Sequence, residues 1–169
     1  MATIKRPIKV YNGSSWDEIF PTTSDDMIEG LARHTGFERT TDLINAPSGN
    51  ALQWQSQTGD TNLIKWSSSK PEEFTVMKDG YYLIVCRHSM RHATGGYATL
   101  QLREYSGSEK VIDDIVVNMG VINGIAHLQF MFLVQLKTGN KLRFTTYWSG
   151  SHTAFMTTGS KAEFLRIGE

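Results

Sequence analysis

Beyond residue 50 the chain is cut at short intervals by turn-forming residues: Gly95-Gly96, Ser106-Gly107-Ser108, Asn123-Gly124, Thr138-Gly139-Asn140 and Ser149-Gly150-Ser151. Glycine and asparagine reach the backbone angles that reverse turns demand, and serine bonds its own backbone locally. Between the turns apolar residues alternate with polar ones, as in Leu52 and Trp54 between Gln53 and Gln55. That period of two belongs to a half-buried strand. The spacing predicts strands over 51–56, 62–66, 74–76, 80–88, 97–105, 110–118, 125–136, 140–148 and 161–167. A succession of such strands with no helix between them is an antiparallel sandwich and not a βαβ sheet.

The first fifty residues read differently. Residues 8–11, the pair Asn12-Gly13 and residues 16–20 spell a short hairpin, because Asn-Gly suits a tight turn. Pro21 then ends strand pairing, having no N–H to give. A short helix is expected next: Ser24, Asp25 and Asp26 can cap its start, Met27, Ile28 and Leu31 share one face, and Gly36 supplies a stop. Residues 37–50 show no period and end in the linker-like Ala46-Pro47-Ser48-Gly49-Asn50. The expected organisation is therefore an arm over 1–50 (hairpin, helix, linker) and a sandwich domain over 51–169.

Composition narrows the function classes. The 169 residues suffice for one domain with an arm. With 40% apolar and 20% charged residues the composition suggests neither a disordered chain nor a membrane protein. Lys plus Arg equals Asp plus Glu at 17 each, which gives no cationic excess for nucleic acid and removes a barrier to self-association. The single cysteine, Cys86, lies in an apolar run and is expected to be buried and inert. No apolar segment follows the charged N-terminus, so no signal peptide is expected, and synthesis in a cytoplasm is.

The run 125–136 is apolar on both sides for much of its length. Such a strand needs cover on both faces, and the expected cover is the opposing sheet on one and a neighbouring subunit on the other.

Three segments carry a family resemblance: Phe74 with Gly80-Tyr81-Tyr82; Leu133 and Leu136 followed by Lys137-Thr138-Gly139-Asn140-Lys141-Leu142; and the closing stretch 162–167. Together they resemble the C1q/TNF-like jelly roll, over residues 51 to 169. The family usually has Gly-Asp where this chain has Gly139-Asn140. The resemblance implies a β-sandwich that assembles as a homotrimer and binds rather than catalyses. Residues 9–21 are similar to a hairpin of tail, baseplate and fibre proteins of siphophages infecting Gram-positive bacteria. That likeness implies a receptor-binding or tail-decorating virion protein, other phage tail proteins as partners, and a host cell-wall polysaccharide or teichoic acid as ligand. The alternatives are a free C1q-like ligand-binding module and a cell-wall-degrading enzyme.

Two segments hold candidate ligand-binding residues. Arg87, His88, Arg91 and His92 cluster near a turn, and arginine forks onto phosphate oxygens. Tyr147 and Trp148 precede Ser149-Gly150-Ser151, and an exposed aromatic ring can cover the apolar face of a sugar. His88 and His92 lack further ligands nearby in sequence, so no metal site and no cofactor are expected. Asp113 and Asp114 are adjacent on a strand and point to opposite faces, which denies them a catalytic dyad. No nucleophile elbow, P-loop or dinucleotide fingerprint is present.

Overall fold

The computed structural model describes residues 8–11, 16–19, 34–43, 49–91, 96–105, 108–119, 124–149, 151 and 155–168. The chain divides into two units, residues 1–32 and 33–169. In the first, β1 (Ile8–Tyr11) and β2 (Trp16–Ile19) pair antiparallel, with Tyr11 opposite Trp16. This is the expected hairpin, although its Asn12-Gly13 turn lies outside the described residues. Most of the segment expected as a helix, residues 22–33, lies outside them as well.

The second unit contains β3 (His34–Glu38), β4 (Asn50–Ala51), β5 (Ser56–Gly59), β6 (Ile64–Ser67) and β7 (Lys70–Val76). It continues with β8 (Gly80–Arg91), β9 (Gly96–Tyr105), β10 (Glu109–Met119), β11 (Ile125–Leu136), β12 (Lys141–Trp148) and β13 (Lys161–Gly168). Among the described residues there is no helix. These strands form two antiparallel sheets, one in the order β10-β9-β12-β7-β6 with β4 also on β12, the other in the order β11-β8-β13-β3-β5. The architecture is the jelly-roll sandwich that the turn spacing and the family resemblance imply.

The boundary between the units falls at residue 32 rather than 50. Residues 34–38, assigned by sequence to the arm, form β3 and pair with β13 and β5. Gly36, expected to stop a helix, lies mid-strand where a Cβ would come within 2.9 Å of Thr58 Oγ1. Glycine here allows close approach of β5. With Phe37 as its one large apolar residue, this strand is defined by its neighbours and leaves little periodic signal.

Residues 51–56 are likewise not one strand. Ala51 pairs with Thr145 in one sheet and Ser56 with Glu38 in the other. The segment between crosses from one sheet to the other, with the Leu52, Trp54 and Gln55 amides donating to the Phe144, Pro71 and Glu38 carbonyls. Leu52 and Trp54 alternate with polar neighbours because they fill the core.

The core is aromatic. Phe74 lies 4.5 Å from Phe37, 5.2 Å from Phe164 and 5.8 Å from Phe144, ring centre to ring centre. Tyr82 is buried beside them with its hydroxyl donating to the Lys78 carbonyl at 2.6 Å, and burial raises its pKa to about 12. Cys86 is buried too, and burial raises its pKa, so little reactive thiolate forms. Gly80 opens β8 at a positive φ, where a Cβ would collide with the Gly168 carbonyl oxygen at 2.3 Å.

Candidate functional site

Strand alternation separates the residues that lie together in sequence. On β8, Arg87 and Arg91 face outward, while His88 is fully buried. A His88 ring nitrogen, Nε2, lies 2.7 Å from the Phe155 carbonyl oxygen, and the ring packs against Phe155. His88 is thus a core residue, and its proposed ligand role is corrected by its depth. Arg87 gives Nε and Nη2 to the Gly159 carbonyl at 3.0 and 2.8 Å. Arg91 donates to Asp42 at 3.0 Å. His92 lies outside the described residues.

On β12 the same rule divides the aromatic pair. Trp148 is 5% exposed and turned into the sandwich, so its ring presents no face to a sugar. Tyr147 faces out from the other sheet and lines a groove. Of the two expected clusters, Arg87 and Arg91 face out from one sheet and Tyr147 from the other, so they do not form one site.

The groove encloses about 400 Å³ on the six-stranded sheet. Its polar walls come from Gln53, Glu72, Arg103, Glu109, Arg143 and Tyr147. Arg143 and Arg103 are direct partners across β12 and β9. Like charges in that position repel. Glu109, brought beside them by the pairing of β10 with β9, offsets the repulsion: Arg103 Nη1 bonds one carboxylate oxygen and Arg143 Nη2 the other. Arg103 Nη2 also donates to the Tyr147 hydroxyl at 2.7 Å and to Gln101 at 2.6 Å. The guanidinium of Arg103 lies over the Tyr147 ring, 5.5 Å from its centre, and that of Arg143 over Tyr105 at 4.9 Å. Arg143 Nε is buried without a hydrogen-bond partner among the described residues.

Of these residues, sequence reading singled out only Tyr147. The others recur two apart on strands, Arg103 with Tyr105 and Arg143 with Thr145. Their convergence depends on register between strands distant in sequence, which no local pattern reveals.

The five-stranded sheet presents a different surface. β11 alternates without a break, its even-numbered residues buried and its odd-numbered ones exposed. Met131 is 59% and Leu133 64% exposed. Leu133, Leu83 and Leu165 form one row across β11, β8 and β13, with Tyr81 and Ile167 exposed nearby. Among the described residues β11 pairs with β8 alone, so this apolar strand also borders the sheet.

For chemistry the surface offers little. No group of three or more His, Cys, Asp or Glu is placed to hold a metal ion among the described residues. Ser89 Oγ lies 2.7 Å from His127 Nδ1, but the described residues supply no carboxylate hydrogen-bonded to that ring. Neither Asp113 nor Asp114 lines the groove.

No protein-family model matches the sequence, and no curated protein does. Solved structures do match in fold. The Eiger TNF of S. frugiperda superimposes with a TM-score of 0.61 at 12% identity, covering 80% of this chain and 92% of that one. Murine APRIL at pH 5.0 gives 0.54 at 11% identity, covering 79% and 98%. The domain has a C1q/TNF-like jelly-roll fold.

Proposed function

We propose that this protein is a homotrimeric, non-enzymatic binding module of a tailed-phage virion, in the tail or baseplate, that adheres to the host surface. The observation that carries the assembly is an exposed apolar patch on the five-stranded sheet, open among the described residues. Met131 and Leu133 stand mostly exposed beside the Leu83 and Leu165 row, on a twelve-residue strand at the sheet's border. A long apolar border strand left open invites uncontrolled pairing, and a second copy of the same chain covers it. The zero formal charge opposes no such contact. Three copies are what the family resemblance implies, and three sites acting together strengthen weak adhesion.

The virion setting rests on the sequence likeness of residues 9–21 to phage tail hairpins alone; β1 and β2 pair as a hairpin at that place. In this reading the unit 1–32 docks the protein to other tail proteins. Immunogold labelling of particles released by cells that encode the chain tests it. Label on tails is expected; label confined to free protein, with clean particles, contradicts the virion role.

A further inference from the structure

We infer that the groove between Arg103, Arg143 and Tyr147 binds a neutral, polyhydroxylated ligand, a short stretch of a sugar polymer. This inference rests on the adhesion reading and gives it a site and a ligand chemistry. It starts from the Arg143–Arg103 pair, two like charges opposed across a sheet. Such a pair weakens the sheet, and Glu109 is held between them to relieve it. What the arrangement provides is a fixed array of hydrogen-bonding groups on an outward face. Guanidinium groups donate, the Glu72 and Glu109 carboxylates accept, and Gln53 and Tyr147 do both. Sugar hydroxyls also do both, so they match a mixed array better than an all-donor one.

Charge decides between a neutral and a phosphate-bearing polymer. Two arginines and two glutamates line the groove, and Glu109 already occupies the space between the guanidiniums. A phosphate would have to displace Glu109 and lie near Glu72, which repels it. The walls are also preorganised. Each arginine lies over a tyrosine ring, and a Cβ on Gly49 would come within 3.2 Å of the Tyr147 ring. Fixed walls lower the ordering cost of binding. The volume of about 400 Å³ lies within the range of small-molecule sites. Assembly through the five-stranded face leaves this opposite face open, so a trimer presents three grooves.

Calorimetric titration of the full chain with trisaccharides of glucose and of N-acetylglucosamine tests the inference, with polyglycerol phosphate as the anionic counterpart. Sedimentation with Gram-positive cell walls, before and after removal of their phosphate polymers, provides the second readout. The expected result is binding of a neutral trisaccharide, none of polyglycerol phosphate, and retention on stripped walls. Tyr147→Phe and Glu72→Gln should each weaken wall retention about tenfold, the loss of one or two hydrogen bonds, while the chain stays folded and cooperative in melting. Lys137→Ala, on an exposed turn, should change nothing. Wall binding that both groove variants retain in full overturns the groove assignment and leaves adhesion standing. Polyglycerol phosphate binding that the variants abolish overturns the neutral ligand. Absence of binding to every wall preparation overturns adhesion itself, and the inference with it.

Discussion

On the five-stranded sheet, β11 turns Met131 and Leu133 to solvent beside Leu83 of β8 and Leu165 of β13. On the six-stranded sheet, β9 and β12 turn out Arg103, Tyr105, Arg143 and Tyr147, with Glu109 of β10 between the arginines. Both faces obey one alternation, and both back onto one aromatic core. The inward residues are nearly interchangeable in kind (Phe, Leu, Ile, Trp) and determine the sandwich. The outward ones differ most between the patch around Met131 and Leu133 and the groove around Glu109: in the proposed reading the apolar patch meets a second copy of the chain and the polar groove a hydrated ligand.

The largest effect removes the support that both faces share. Phe74→Ala empties the centre of the aromatic cluster and should cost about 3–5 kcal/mol, enough to unfold a marginal domain. Thermal denaturation followed by near-ultraviolet circular dichroism reads this directly, and assembly and ligand binding should vanish together.

The next effect divides the faces. Glu109→Gln leaves Arg103 and Arg143 opposed without a carboxylate and should destabilise the fold by about 1–2 kcal/mol, since the network is only partly buried. Chemical denaturation measures the loss, and the oligomeric mass should not change. If that substitution dissociates the protein, the groove face takes part in assembly and the division of labour fails.

The smallest effect lies away from both faces. Asp42 accepts from the Thr158 amide and from Arg91, which hold its carboxyl below the usual range, the backbone bond contributing most. A carboxyl with a depressed folded pKa adds stability above its unfolded pKa and loses it as pH falls through the folded one. Asp42→Asn should therefore lower stability slightly at neutral pH, by less than about 1 kcal/mol, because the group is partly exposed. The difference should shrink below roughly pH 4. A difference that persists unchanged in acid would assign the effect to packing instead of charge.

These contrasts also mark what the sequence discloses. Strand 125–136 matches β11 end to end, and the turn at Thr138-Gly139-Asn140 falls between the strands it was expected to join. Gly139 has φ +88°, the left-handed geometry that such a turn requires. These features are local, set by side-chain period and backbone angle. β3 escapes notice because its burial comes from β13 and β5, far along the chain. The doubly apolar reading of 125–136 holds only in part: Ile125, Met131 and Leu133 face out, but they alternate with His127, Gln129 and Gln135. Candidate ligand residues fare less well. Proximity in sequence puts His88 beside Arg87 and Trp148 beside Tyr147, but on a strand neighbours face apart, so each pair is split between core and surface. The groove assembles from β9, β10 and β12, and only their register brings Glu109 between two arginines.

Light-scattering mass of the full chain, with and without Met131→Asp and Leu133→Asp combined, tests the central claim most directly. The account predicts a trimer for the unaltered chain and a folded monomer for the double variant, with the groove intact. A monomeric unaltered chain, or a trimer that tolerates both aspartates, would contradict assembly through the five-stranded face.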